Sequence, residues 1–253
     1  MLLVRYQHRD AIKHGVLEGD RIEEIEGDFF GAMRRSGAMV SLADVRLKAP
    51  TSPTKVINMA GNYLSHMGAR PPFKEPQPFL ATPSSVLDPG GVIVFPPGAK
   101  NVHYEGEMAV VINRRASRVS EADAASYVLG VCAANDVSER DWQGGAEKDV
   151  QWWRAKSADT FSPFGPWLAT GLDHGNLDLE TRVNGKTVQK CNTSDLIFGV
   201  ERIISFVSQA MTLEPGDVIF TGTSGQTSAL KDGDVVEVEL QGVGVLRNTV
   251  SAV

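Results

Sequence analysis

Short apolar runs bounded by glycine and proline predict β-strands along most of the chain. The runs cover residues 91–95, 103–112, 128–134, 217–221, 235–240 and 244–250. A short glycine-bearing turn separates the last two runs, so they form a predicted hairpin. Residues 15–26 predict another hairpin, because apolar residues lie on both sides of a Glu-Gly-Asp turn.

Two segments carry helical signals instead. Apolar residues recur at steps of three and four from Leu196 to Met211, directly after Thr193-Ser194-Asp195, which supplies a helix N-cap. Ser120 and Asp123 predict the start of a shorter helix in the same way. Helices interspersed among strands and many turns indicate an α+β protein with a mixed sheet that is rich in antiparallel pairs.

A change in composition predicts a domain boundary near residue 52. Residues 49–54 contain two prolines and small polar residues without periodicity, which is typical of a connector. We therefore expect a small, β-rich N-terminal domain over residues 1–52 and a larger domain over residues 53–253.

Composition and charge restrict the kinds of partner. The 253 residues are 42% hydrophobic and carry a formal net charge of −6, which disfavours nucleic acid and anionic membranes. No stretch approaches the roughly 18 apolar residues that a membrane span needs. The only cysteines, Cys132 and Cys191, are too few for a disulfide framework and suit a reducing compartment. We expect a cytoplasmic protein with no nucleic-acid or membrane partner.

The segment 101–112 contains the first candidate chemistry. A strand period of two places His103, Glu105 and Glu107 on one face, which then becomes apolar. Two carboxylates about 7 Å apart on such a face repel each other unless a cation lies between them. A hard divalent metal, Mg²⁺ or Mn²⁺, meets that need. A solvated strand face with two ordinary glutamates explains the pattern equally well.

A second polar group follows the apolar run 127–134. Asn135-Asp136 stand at the carboxyl end of that predicted strand, where ligands gather in sheets with mixed topology. If a helix follows, Asp136, Arg140 and Gln143 lie on one side of it. Ser138 and Asp141 at the same place match a capping box, which is compatible with both interpretations.

Two further segments carry weaker signals. Residues 151–167 are rich in aromatic residues, proline and glycine and are expected to line a site. Lys156 within them could neutralise a substrate carboxylate, although most lysines are simply solvated. The run 220–225 contains Thr223 among small residues that let backbone N–H groups approach an anion, or it is an ordinary loop.

Taken together, these segments resemble the fumarylacetoacetate hydrolase family. The matching stretches follow the family's order and cover the chain from about residue 57 to its end: residues 104–112, 135–143, 156–167, 193–198, 213–219 and 221–223. The resemblance implies a mixed β-sandwich roll that forms a homodimer and acts on a small 2-oxo acid.

The resemblance also implies roles for particular residues. Glu105, Glu107 and Asp136 match the ligands of a divalent metal, usually Mg²⁺ or Mn²⁺. Asn62-Tyr63-Leu64-Ser65-His66 matches a motif in which the histidine lies on a mobile lid and acts as a general base, a role that a lone histidine would not suggest. The substrate-contacting positions are matched by Arg140, Gln143, Thr223 and Tyr104, and also by Lys156, which is expected to take part in catalysis with His66.

Two positions depart from the family's pattern. Many relatives have a glutamate three residues after the lid histidine, and Ala69 stands there in this chain. Many also have a lysine in the stretch matched by residues 79–82, which here reads Phe-Leu-Ala-Thr. Either the substrate carries less negative charge, or Arg70, Lys74 or Glu75 in the lid replaces the missing group.

These observations favour a metal-dependent hydrolase that cleaves a C–C bond in an acylpyruvate-like or 2,4-dioxo acid. The 2-oxo acid end of the substrate would chelate the metal, His66 would activate water, and the departing carbanion would be stabilised as a metal-bound enolate. The same site would serve a decarboxylase or isomerase of oxaloacetate-like or 2-hydroxymuconate-like diacids, which needs no activated water. A catalytically idle relative is disfavoured, because it would not need three clustered carboxylates.

Overall fold

The strands form one large sheet and two smaller ones in the computed structural model, which describes residues 1–252. The large sheet has twelve strands: β1 (Leu2–His8), β2 (Ala11–Glu18), β3 (Arg21–Glu26), β4 (Arg34–Ser41), β5 (Arg46–Leu47), β6 (Val56–Met59), β7 (Pro78–Ala81), β8 (Val86–Leu87), β11 (Gly106–Ile112), β12 (Val128–Asn135), β14 (Ser162–Ala169) and β17 (Val218–Phe220).

The smaller sheets contain the remaining described strands. The five-stranded sheet is formed by β9 (Val92–Val94), β15 (Asp178–Val183), β16 (Lys186–Asn192), β18 (Val235–Leu240) and β19 (Gly244–Ser251). The two-stranded sheet pairs β10 (Val102–His103) with β13 (Ser138–Glu139). Parallel and antiparallel pairs both occur, so the predicted α+β fold with a mixed β-sandwich roll is confirmed.

The five α-helices within the described residues are short, with one exception. They are α1 (Leu64–Met67), α2 (Glu121–Ala124), α3 (Arg140–Gly144), α4 (Trp153–Ser157) and α5 (Val200–Ala210). Ser120 caps α2 as predicted, since its hydroxyl accepts a hydrogen bond from the Asp123 N–H. No helix within residues 1–252 combines the length and apolar character that crossing a membrane requires.

The predicted start of the long helix at residue 196 is wrong. Residues 193–195 form a 3-10 turn instead, and α5 begins only after Gly199. Asn62 delays the start of α5. Its backbone carbonyl oxygen accepts a hydrogen bond from the Ile197 N–H, and its side-chain Oδ1 accepts one from the Phe198 N–H. A residue more than a hundred positions away therefore holds these two residues outside the helix.

The N-terminal strands continue the large sheet. β1 pairs with β2 and also with β14, where Leu2 lies opposite Ala169. Both predicted hairpins, β2–β3 and β18–β19, are present. The division of the chain at residue 52 stays a prediction, although the sheet is continuous across it.

The predicted continuous strand from His103 to Ile112 is interrupted. The chain leaves β10 after His103 and enters β11 at Gly106, because β10 pairs with β13 whereas β11 pairs with β12. Glu105 therefore precedes β11, while Glu107 lies within it. All seven residues of β11 are buried, in a core that also contains residues of the five-stranded sheet and of α5.

Gly106, between the two glutamates, lies against the five-stranded sheet. A Cβ atom at this position would be 1.8 Å from Thr181 Oγ1 and 3.3 Å from Gln189 Oε1. The Gly106 N–H also donates to Gln189 Oε1, at 3.0 Å. Only glycine fits between these partners, which fixes the distance between β11 and β15.

Gly106→Ala is therefore expected to destabilise the protein by about 1–3 kcal/mol, the usual cost of overpacking a core. Urea unfolding followed by circular dichroism measures this free energy. Gly31→Ala is the matched control, because no heavy atom lies within 4 Å of a Cβ built there. Equal stability of both variants would contradict the packing constraint.

Candidate active site

Three buried carboxylates meet where β11 begins and β12 ends. Antiparallel pairing places Gly106 opposite Asn135, which brings Glu105 and Glu107 next to Asp136. Two hydrogen bonds hold the junction: Asp136 N–H donates to the Glu105 carbonyl at 2.9 Å, and Glu105 N–H donates to Asn135 Oδ1 at 2.8 Å. One oxygen from each carboxylate lies within 4.8 Å of the others.

Two cationic side chains contact this cluster. The Lys156 ammonium group donates to Glu105 Oε2 and to Asp136 Oδ2, both at 2.6 Å, and is itself only 2% exposed. Arg140 Nη2 donates to Glu105 Oε1 at 2.6 Å. Glu107 has no cationic partner within residues 1–252: its Oε2 accepts a hydrogen bond of 2.6 Å from the Gly222 N–H. A Cβ at Gly222 would be 2.8 Å from Asn62 Cβ, so glycine is required there.

The three carboxylates differ in pKa because their partners differ. Burial raises the pKa of Glu107 well above its ordinary value, and repulsion from Asp136 and Glu105 adds to this effect. Burial likewise raises the pKa of Asp136 to about 7, against the attraction of Lys156. For Glu105, attraction to Lys156 and Arg140 outweighs burial and lowers the pKa. Although burial opposes it, attraction to Asp136 and Glu105 raises the pKa of Lys156, so this side chain is a cation.

The residues present fit a hard divalent metal. Asp136 Oδ1 is buried and has no hydrogen-bond partner among the described residues, which is costly for a carboxylate oxygen. The cations Lys156 and Arg140 balance only part of the negative charge of the three carboxylates. Glu105, Glu107 and Asp136 are thus the residues that would hold Mg²⁺ or Mn²⁺.

His66, on α1, lies beside the carboxylate cluster. Its Nδ1 is 2.6 Å from the Gly225 carbonyl oxygen, and its Nε2 is 3.7 Å from Glu105 Oε1. A carbonyl only accepts hydrogen bonds, so Nδ1 carries the proton and the neutral ring has its lone pair on Nε2. Ser65 strengthens the same contact, since its hydroxyl accepts from the Gly225 N–H at 3.0 Å. Ala69 is exposed.

The structure brings most predicted site residues to one cavity of about 430 Å³. His66, Glu105, Glu107, Asp136, Arg140, Gln143, Lys156 and Thr223 all line it. Tyr104 does not: its hydroxyl is 3.2 Å from Ser228 Oγ, behind the cavity wall. The roles of all these residues stay predictions.

The arrangement on one helix that we predicted for Asp136, Arg140 and Gln143 is wrong. Asp136 precedes β13, and α3 begins only at Arg140. The predicted capping box is also wrong, because the Glu139 side chain accepts from the Trp142 N–H at 2.7 Å. β13 pairs with β10 and leaves no helical turn at residues 136–139.

The cavity wall contains one aromatic residue of the segment 151–167, which was expected to line a site, and further residues that were not singled out. Trp152 is the expected one; Phe73 and Phe79 complete an apolar side, and Lys148 provides a cation. Gln189 is hidden behind the wall, where its amide donates to Thr223 Oγ1 at 2.8 Å. No local pattern marks Lys148 or Gln189, since each reaches the site only through the fold.

Comparisons with known proteins identify the family of this chain. A family model described as Fumarylacetoacetate (FAA) hydrolase C-terminal matches residues 55–251, and one described as Rv2993c-like, N-terminal, matches residues 1–50. The chain belongs to the fumarylacetoacetate hydrolase family. Members of this family are enzymes, including isomerases, tautomerases and hydrolases.

Three similar proteins have names that describe an activity. Oxaloacetate tautomerase Fahd2a, mitochondrial, from Rattus norvegicus is 40% identical, over 84% of this chain and 71% of its own. The 5-carboxymethyl-2-hydroxymuconate delta-isomerase of Mycobacterium smegmatis is 40% identical over 100% of both chains, with a TM-score of 0.94. The maleylpyruvate hydrolase of Sphingobium sp. SYK-6 is 27% identical over 100% of both chains, with a TM-score of 0.83.

Glu107→Gln is expected to change thermal stability in opposite directions with and without metal. The variant removes one of three like charges, so its EDTA-treated form should unfold at a higher temperature than the wild type at pH 8. It also removes a ligand, so Mn²⁺ should bind at least about 100-fold more weakly and stabilise it little. Differential scanning calorimetry and calorimetric Mn²⁺ titration measure both effects.

Glu121→Gln, an exposed position on α2, is the control for the loss of one negative charge. It should respond to Mn²⁺ like the wild type. Unchanged stabilisation of Glu107→Gln by Mn²⁺ would show that the cluster does not hold the metal.

Proposed function

We propose that this member of the fumarylacetoacetate hydrolase family is a Mg²⁺- or Mn²⁺-dependent enzyme that moves the proton on the carbon beside the carbonyl of a 2-oxo acid. Tautomerisation and isomerisation both fall in this class. The observation that carries the proposal is the single base at the site: His66 Nε2 faces the carboxylate cluster, and a backbone carbonyl holds Nδ1.

The metal held by Glu105, Glu107 and Asp136 supplies, when bound, Lewis-acid polarisation of the 2-oxo carbonyl. Lys156 is a buried cation beside two of these carboxylates. It is a fixed positive charge for the substrate carboxylate and for the negative charge that develops on the carbonyl oxygen. A lysine with a raised pKa is a poor base, so proton removal falls to another residue.

His66 meets the requirements of that base. Its neutral tautomer has the lone pair on Nε2, which points toward the carboxylate cluster where the substrate would bind. The ring takes a proton from carbon and returns it to oxygen or to another carbon, so atoms and charge balance within one turnover. The proton left on Nδ1 stays bonded to the Gly225 carbonyl throughout.

Hydrolysis of a C–C bond is the second candidate, supported by the maleylpyruvate hydrolase among the structural neighbours. It demands more of the site, because His66 must hold and deprotonate a water molecule as well as serve the departing carbon. Proton transfer needs no such water molecule, and this difference favours it over hydrolysis.

His66→Ala is expected to lower kcat for ketonisation of enol-oxaloacetate by about 10²–10⁴-fold, the usual contribution of a general base. Loss of enol absorbance measures the rate, with Mg²⁺ and then with excess EDTA. Leu64→Ala, on the exposed side of the same helix, is the control and should keep full activity.

Product analysis of the wild type separates the two candidates. An acylpyruvate is incubated with the enzyme and Mg²⁺, and the products are identified by mass spectrometry. Rapid release of pyruvate and a carboxylic acid, with no acceleration of enol-oxaloacetate ketonisation, would replace the proposed function by hydrolysis.

Two cationic side chains that line the cavity favour a substrate with a second carboxylate. Arg70, from the lid, and Lys148, from the loop after α3, both line the cavity, and neither forms an ion pair with a described carboxylate. Lys74 does not line it, and Glu75 lies 4.0 Å from Arg202. Of the lid residues considered as replacements for the missing lysine, Arg70 therefore fits best. A 2-oxo diacid would place its far carboxylate between Arg70 and Lys148.

Arg70→Ala and Lys148→Ala are each expected to lower kcat/KM for enol-oxaloacetate by about two- to fivefold, the strength of an exposed ion pair, and more in combination. Enol-phenylpyruvate has no second carboxylate and should be unaffected. Lys74→Ala removes the same charge outside the cavity and should change neither substrate. Equal losses for both substrates would exclude selective recognition of the far carboxylate.

The homodimer and the cytoplasmic location implied at the level of sequence stay predictions. Size-exclusion chromatography with light scattering tests the first of them directly.

A further inference from the structure

A chain of hydrogen bonds lies behind Arg140, on the side away from the cavity. Arg140 Nη2 is 2.8 Å from Thr227 Oγ1, and Thr227 Oγ1 is 2.9 Å from His103 Nδ1. His103 Nε2 is 2.8 Å from Asn101 Oδ1, and Asn101 Nδ2 is 3.0 Å from Asp141 Oδ1. The cavity wall includes Arg140 but not Thr227, His103 or Asn101.

The donor and acceptor roles in this chain follow from its two ends. A guanidinium group only donates and a carboxylate only accepts, so Arg140 donates to Thr227, and Asn101 Nδ2 donates to Asp141. The Asn101 carbonyl oxygen must then face His103, whose Nε2 carries a proton. A neutral imidazole has one donor and one acceptor, so Thr227 donates to His103 Nδ1. Every bond points from the cation toward the anion, an arrangement in which each bond polarises the next.

The backbone holds the two ends of the chain together. Glu139 Oε1 accepts from the Asn101 N–H at 2.9 Å, and Glu139 Oε2 accepts from the Trp142 N–H at 2.7 Å. The Arg140 N–H donates to the Asn101 carbonyl at 2.9 Å. Asn101 and the first turn of α3 therefore form one unit, against which Thr227 and His103 are fixed.

The Arg140 guanidinium uses three of its five N–H groups within the protein. Nη2 donates to Glu105 and Thr227, and Nη1 donates to Gln143 Oε1 at 2.6 Å. Two N–H groups remain for a substrate. Without Thr227, one of the two anchors of Nη2 is lost, and only the bonds to Glu105 and Gln143 hold the guanidinium.

We propose that Thr227, backed by His103 and Asn101, is a positioning residue that fixes the Arg140 guanidinium for binding the substrate carboxylate. The three residues act through Arg140 and do not touch the substrate. The turnover test of this proposal rests on the proposed function. The binding test does not, because binding of a substrate-like anion reports the orientation of the Arg140 guanidinium directly.

Thr227→Val keeps the shape of the side chain and removes its hydroxyl. We expect it to weaken binding of oxalate to the Mn²⁺-loaded protein about tenfold, the effect of one hydrogen bond to a charged group. KM for enol-oxaloacetate should rise by a similar factor, while kcat changes less than about threefold. His103→Phe, which removes the acceptor behind Thr227, should give a smaller effect in the same direction.

Two comparisons separate positioning from a general structural role. Thr227→Ser restores the hydroxyl and should return oxalate binding to within about twofold of the wild type. In an Arg140→Ala background, Thr227→Val should cause no further loss, because its effect requires the guanidinium. Gln226→Ala, at the exposed neighbouring position, is the control and should bind oxalate normally.

Isothermal titration calorimetry measures the binding, and thermal unfolding establishes that each variant is folded. Oxalate binding by Thr227→Val equal to that of the wild type, failure of Thr227→Ser to restore binding, or additive losses with Arg140→Ala would each overturn the proposal. If the wild type binds oxalate but does not convert enol-oxaloacetate, the proposed function fails while the positioning role is still tested by binding.

Discussion

The burial of three carboxylates at one point is the constraint on which the rest of the site depends. Glu105, Glu107 and Asp136 are each at most 4% exposed, and burying unpaired negative charge is among the most costly events in folding. Lys156 and Arg140 offset part of the cost at Glu105 and Asp136. Burial and repulsion from Asp136 and Glu105 raise the pKa of Glu107 well above its ordinary value, because within residues 1–252 its one hydrogen bond, from the Gly222 N–H, compensates too little. The fold therefore maintains a deficit of positive charge that a divalent cation removes.

The backbone around the cluster explains how the fold tolerates this deficit. The chain changes sheets between His103 and Gly106, and the change places Glu105 at a strand junction where Asn135 and Asp136 fix its backbone. Gly106 and Gly222 allow close approach of the neighbouring segments on either side of Glu107. Buried residues of β11 and β12 then anchor the junction in the hydrophobic core. Packing energy far from the carboxylates thus holds them together.

How much the sequence predicts depends on how local each interaction is. Glu105 and Glu107 stand two residues apart, and Asp136 follows a recognisable apolar strand, so each could be singled out from the sequence, while their convergence was implied by the resemblance to the family. The start of α5 could not be predicted, because it depends on hydrogen bonds to Asn62, more than a hundred positions earlier in the chain. Lys148, Gln189 and Thr227 carry no local signal and reach the site only through the fold, Gln189 on β16 and the other two on loops. The helix predicted to contain Asp136 failed for a similar reason, since pairing of β13 with β10 overrides the helical spacing.

The hydrogen bonds of the cluster also indicate which oxygens a metal can use. Both oxygens of Glu105 already accept from cations, Oε1 from Arg140 and Oε2 from Lys156. Asp136 Oδ1 has no partner among the described residues, and Glu107 uses only Oε2, for the Gly222 N–H. A cation can therefore bind Asp136 and Glu107 without breaking a hydrogen bond, but it must share Glu105 with Lys156 or Arg140. Because Arg140 also donates to Thr227 and Gln143, we expect Lys156 rather than Arg140 to yield the shared oxygen, and its positive charge would stay beside the cluster.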